Sequence, residues 1–336
     1  MPDPVDVATR ITLRIVFILF LLWLVLTLRF YLVWAFGALM IVAALDPLVT
    51  RLERLKIPRS LSSVVVLLGL LSISVWLVSL VIPPLVSQIQ ALIQNLPEFL
   101  EGAVETLTFW GQKNIDPRLQ RVLEQFAGNL SQRLLSGTGD VIRFGQSLIG
   151  GIFMLGTFVV LTLYLLIEYP RVVKSFISLL PKEQQGLAEQ KITVINLRLG
   201  GWLRGQILLV LIIGGASWVG LSLLQIPYAL PLSLVAGVLE IVPTLGPLLA
   251  SIPAIVLGLA ISPWKALSVA LLYFFIQQVE NTVVVPKVMQ HSVGLDPVLV
   301  LIVLTLGGKF LGLAGLLVSI PATLVLWVLW GRGLKK

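Results

Sequence analysis

Apolar residues fall along this chain in long continuous runs. They lie near 12–28, 31–48, 60–82, 147–168, 206–225, 230–261, 264–285 and 298–330. One bilayer crossing takes about 20 apolar residues as a helix, so the runs are long enough for roughly one crossing each. The alternation of a transmembrane β-barrel strand is missing from them. The pattern predicts an all-α polytopic integral membrane protein with about eight transmembrane helices. The runs at 230–261 and 298–330 exceed thirty residues and contain helix breakers. They predict interrupted or re-entrant segments in the C-terminal half.

Three regions follow. Residues 1–82 hold the first three crossings. Residues 83–146 form the sizeable polar stretch, in which Ile89, Ile93, Leu96, Leu100, Val104 and Leu107 recur at helical spacing. A second amphipathic helix is expected from Asp116–Pro117, with Asp as N-cap and Pro in the first helical position. These helices read as a lid, a subunit contact or a pair lying on the membrane surface. Residues 147–336 form the C-terminal core, with a polar linker at 169–205.

Composition closes off other classes. Hydrophobic residues make up 57% and charged residues 12%, which a soluble fold of this length cannot accommodate. There is no Cys and one His, His291, so neither a disulfide framework nor a Cys/His zinc site is available. His291 falls in a loop, where a solvated side chain is the plainer reading. The net charge is +8. No basic stripe with interleaved aromatics accompanies it, so nucleic acid is not an expected partner. The excess is explained by cytoplasmic loops. Arg51, Arg54, Lys56 and Arg59 follow the second run, six basic residues lie in 169–205, and Arg332, Lys335 and Lys336 end the chain. Eight crossings with both termini cytoplasmic satisfy all three clusters.

The C-terminal half carries an internal repeat. Residues 248–257 read LLASIPAIVL and residues 316–325 read LLVSIPATLV, six of ten positions identical. At the same offset of 68 the interruptions around 243–247 and 311–315 fall opposite each other. Interrupted, repeated hydrophobic segments point to a transporter's binding site. A break frees backbone polar groups that hydrocarbon cannot satisfy. The first break holds Glu240, Pro243, Thr244, Gly246 and Pro247; the second holds Gly307, Gly308, Lys309 and Gly312. Glu240 and Lys309 meet or line one cavity if both are buried; Lys309 snorkels if it is near a surface. Gln277, Glu280 and Asn281 share a helical face in the seventh run and could line a polar path or hold the bundle together. Arg204, Gln206 and Asp296 are secondary candidates. No phosphate-binding loop for ATP is present, and no catalytic pair stands out, so neither an enzyme nor a cofactor is expected.

The C-terminal half resembles the autoinducer-2 exporter family, the PerM-type permeases. The resemblance rests on GGWLRGQ at 200–206, EIVPTLGP at 240–247 with Ile252-Pro253, and Glu280-Asn281-Thr282 with Val285-Pro286-Lys287. It extends through GLDP at 294–297, Gly307-Gly308, Gly312, Gly315 and Ile320-Pro321. It implies a bacterial inner-membrane secondary transporter, homo-oligomeric, for a small polar solute such as autoinducer-2 or for sodium or lithium against protons. On the reading from the two breaks, Glu240 and Glu280 would carry the proton or cation, with Lys309 as a counter-charge or anion contact. The competing reading is an oligomeric membrane scaffold or channel-like protein assembled through residues 83–146.

Overall fold

The computed structural model describes residues 4–110, 155–242, 245–289 and 296–330. The expected helix after Asp116, the start of the fourth run, Pro243, Thr244, His291 and the basic tail fall outside them. All regular structure among the described residues is helical. Among these residues five helices are long and apolar enough to cross a membrane, and four further apolar helices are shorter. The protein is an all-α polytopic membrane protein.

Helix α1 is Pro4–Arg54 and α2 is Arg59–Trp110. The first two apolar runs thus share one helix of 51 residues, about 77 Å long at 1.5 Å per residue. The link Leu28-Arg29-Phe30 contains no breaker, and Arg29 lies over the Phe30 ring at 5.0 Å, so its charge is carried on the helix surface. Helix α2 likewise continues past the end of its run, through Pro83, Pro84 and Pro97. Its far end docks on the C-terminal core. Asn95 donates to the Tyr228 hydroxyl at 2.9 Å, and the Phe99 ring meets the Tyr228 ring edge-on at 5.8 Å. The first half of the polar 83–146 stretch is therefore an extension of a spanning helix.

Helix α3 is Leu155–Ser178 and α4 is Lys182–Leu223. Helix α4 joins the linker helix to the fifth run without a break. Helices α5 (Ala229–Leu239) and α6 (Leu245–Ile261) follow, then α7 (Pro263–Val279), a π-helical turn at Glu280–Val284, α8 (Val285–Met289) and α9 (Pro297–Leu329). Helix α7 starts on Ser262, which accepts from the Lys265 amide at 3.2 Å; α9 starts on Asp296, which accepts from the Val298 amide at 2.8 Å. Each cap is followed by proline, whose missing N–H costs nothing there.

Both long C-terminal runs are helical hairpins. In the first, α5 and α6 share one apolar cluster through Leu232, Ala236, Ala250, Ala254 and Leu257. A Cβ on Gly246 would stand 1.9 Å from the Leu239 carbonyl oxygen, so the reversal needs glycine there. In the second, α9 breaks at Gly312, with φ 60° and ψ −141°, a conformation that favours glycine. A Cβ on Gly307 would lie 1.8 Å from the Ser319 hydroxyl, and one on Gly315 1.9 Å from the Gly307 carbonyl oxygen. Residues 307 and 319 would stand about 18 Å apart along a straight helix; their contact shows that the chain turns back. Leu239 and Gly307, whose carbonyls close the two hairpins, are 68 positions apart. The sequence repeat is thus a repeat of hairpins, each following a long helix, α4 or α7.

Prolines inside spans leave orphan carbonyls four residues earlier. Two arginines answer them. Pro47 cannot donate to Ala43; Arg204 Nη1 instead reaches the Ala43 and Ala44 carbonyls at 3.5 and 2.9 Å. Pro170 cannot donate to Leu166; Arg59 reaches the Leu166 carbonyl with Nε at 3.1 Å and Nη2 at 3.0 Å. Arg59 also pairs with Asp46 at 2.7 Å and Glu53 at 3.0 Å. These bonds tie α1, α2, α3 and α4 together near the α1–α2 turn.

Candidate functional site

The first break brings Glu240 to the end of α5, and the π turn brings Glu280 to the end of α7. Each side chain is buried, at 1% exposure. Their carboxyl groups are close neighbours. Gln277 Nε2 donates to Glu280 Oε2 at 3.1 Å, and Gln206 Nε2, from α4, donates to the Glu240 backbone carbonyl at 3.2 Å. Glu240 Oε2 has no hydrogen-bond partner among the described residues. A buried polar oxygen without a partner costs free energy, so this one is suited to meet something that arrives.

Local sequence explains the geometry. Helix α5 ends at Leu239, so Glu240 sits on the last turn with its carbonyl beyond helical pairing, and Gln206 satisfies it. The π turn inserts extra backbone after Val279. It keeps Glu280 facing inward with Gln277 but turns Asn281 outward, where it is exposed. A 3.6-residue period places all three on one face; the wider π turn separates them. Such turns are rare and recur at functional positions.

The candidate residues therefore divide. Glu240, Glu280, Gln277 and Gln206 come together. Gly246 and Pro247 are buried beside them at the start of α6. Val242 packs on the cluster that holds Leu304, Ile320 and Leu324, so the first break abuts the second hairpin. Gly307 and Gly308 form the close contact inside that hairpin, and Gly312 makes its reversal. Lys309 does not join Glu240: it is exposed, and no ion pair links the two. Arg204 bonds the carbonyls beside the Pro47 gap within α1, and Asp296 caps α9. No His, Asp or Glu cluster suited to a multivalent metal occurs among the described residues.

Three further buried groups escape a reading of the sequence. The Ser63, Ser217 and Tyr273 hydroxyls, on α2, α4 and α7, are buried without a hydrogen-bond partner among the described residues. Thr162 and Ser251, by contrast, donate to their own helices, at Phe158 and Leu248. Helical spacing from Gln277 back to Tyr273 is the signal that could have found one of them.

The family model described as AI-2E family transporter matches residues 13–335. The Bacillus subtilis protein YrrI, named as a candidate transport protein, is 26% identical over 81% of this chain and 78% of its own. A candidate transport protein of Thermotoga maritima is 26% identical over 87% of this chain and 85% of its own. The Escherichia coli AI-2 transport protein TqsA is 27% identical over 86% and 82% respectively. With a match that covers nearly all of its length, this chain belongs to the AI-2E family of transporters.

Proposed function

We propose that the protein is a secondary transporter of the bacterial inner membrane that works by alternating access, with Glu240 and Glu280 as its coupling site. The observation that carries this reading is the facing pair of buried carboxyl groups at a helix break. Such a pair can hold a proton between its oxygens, or release it to a monovalent cation or a polar solute. The two hairpins flank the pair. Each packs within itself and can move as a unit, which would open the pair to one face at a time. The basic loops at 51–59 and 169–205 and the C-terminal tail are proposed for the cytoplasmic face. If both hairpins re-enter, Lys265 lies outside and Lys287 inside, the reverse of the arrangement with eight simple crossings.

The cargo is proposed as a small polar solute or a monovalent cation. The name of TqsA supports autoinducer-2; the paired carboxyls favour sodium or lithium exchange for protons. Homo-oligomerisation is proposed from α1, which outreaches one bilayer by about half its length and exposes Phe17, Phe20 and Trp23.

The test is proton movement in everted vesicles on addition of sodium, lithium or autoinducer-2. Wild type should move protons with one of these, and Glu240→Gln and Glu280→Gln should not. Wild type that is inserted and assembled but silent to all three would overturn the coupled reading. It would favour the scaffold or channel-like alternative.

A further inference from the structure

Two cavities follow one another along a trench between α1, α3 and α4. The polar one, about 460 Å³, lies beside the α1–α2 turn and is lined by Asp46, Arg59, Tyr169, Thr193, Asn196 and Arg204 among others. The apolar one, about 540 Å³, is lined by Val33, Phe158, Trp202, Ile207 and Leu317 among others. Along α1 the walls run from Thr50 to Val33, about 26 Å by helical rise. That is close to one leaflet of a bilayer with its headgroups, roughly 20–22 Å.

The cations of the polar cavity are fixed. Arg204 is held by the Ala43 and Ala44 carbonyls, and Arg59 by Leu166, Asp46 and Glu53. Asp46, the acid of this cavity, is matched to Arg59. Arg204 has no carboxylate within ion-pair distance among the described residues, and its caps occupy one of its three nitrogens. A positioned guanidinium with donors to spare suits a phosphate. Asn196 adds a neutral donor to the wall, whereas the Thr193 hydroxyl, three residues earlier, already donates to the Glu189 carbonyl at 2.9 Å. The apolar cavity offers hydrocarbon a place to lie.

We propose that this trench binds one anionic glycerophospholipid, with its phosphate on Arg204 and an acyl chain along the apolar cavity. The wall of that cavity includes Ile241, from the first break, and Leu317, from the second hairpin. The lipid would therefore touch the N-terminal helices and both hairpins at once. The site is separate from the carboxyl pair and does not depend on its role.

Native mass spectrometry of the purified full chain tests this, with dioleoylphosphatidylglycerol against dioleoylphosphatidylcholine and free glycerol 3-phosphate as competitor. Wild type should retain the anionic lipid preferentially. Asn196→Asp adds a negative charge to the polar wall without removing a cap and should weaken that lipid about tenfold. Gly37→Val narrows the trench where an added Cβ meets just the Phe158 ring, at 3.8 Å, and should weaken both lipids. Equal retention of the two lipids by wild type would overturn the proposal. Displacement by glycerol 3-phosphate at equal concentration would also overturn it in favour of a soluble anion site. So would a photocrosslink from position 207 to a second copy of the chain in place of lipid.

Discussion

Arg59 is predicted to stabilise the protein chiefly because Pro170 left the Leu166 carbonyl unpaired. Leu166 is fully buried, so its carbonyl cannot turn to water. Arg59→Met removes both donors to it, at a cost of about 1–3 kcal/mol. It also strands Asp46, whose side chain is 21% exposed; that pair adds about 1 kcal/mol. The variant should lose about 2–4 kcal/mol in all. Pro170→Ala returns an N–H to the Leu166 carbonyl from within α3. In that background Arg59→Met should cost about 1 kcal/mol, leaving a coupling of about 1–3 kcal/mol. Equilibrium unfolding in mixed micelles, followed by the intrinsic fluorescence of the chain's nine tryptophans, gives all four corners of the cycle. An equal cost of Arg59→Met in both backgrounds would refute the idea that it answers the proline.

Other substitutions separate packing from charge. Gly246→Val should abolish assembly of the folded protein on size-exclusion chromatography, because its Cβ meets backbone that cannot yield. Gly69→Ala, with open space around it, should instead stabilise the protein slightly, by up to about 1 kcal/mol in helix propensity. Asp296→Ala should cost about 1 kcal/mol through loss of the α9 cap, measured by the same unfolding assay. Lys309→Gln should leave vesicle transport within about twofold of wild type, since the lysine is exposed and apart from Glu240; a loss as large as that of Glu240→Gln would restore it to the site.

Local chemistry made the breaks legible. Pro and Gly at 243–247 and 307–315 cannot continue a straight helix, and the shared offset of 68 marked them as equivalent. Charge inside an apolar run singled out Glu240 and Glu280 separately. Their partnership was not legible, because it joins residues forty positions apart and depends on a π turn that no residue pattern announces. The Glu240–Lys309 pairing looked attractive because both charges sit at equivalent breaks. The hairpin turns Lys309 to the surface instead. The runs at 12–28 and 31–48 read as separate spans because a charge such as Arg29 interrupts the apolar pattern. A helix can carry it on its surface, and α1 does. The arginine caps were hidden for another reason: each proline and its arginine lie more than a hundred positions apart.

The central claim is that Glu240 and Glu280 act as one proton-holding unit. Its most direct test is proton release from purified protein on addition of sodium, lithium or autoinducer-2, read with a pH dye in weakly buffered detergent solution. Wild type should release a proton on binding its cargo. Glu240→Gln, Glu280→Gln and the double variant should all release none, because either glutamine disables the shared site. Undiminished release from both single variants would contradict the claim and place the exchangeable proton elsewhere.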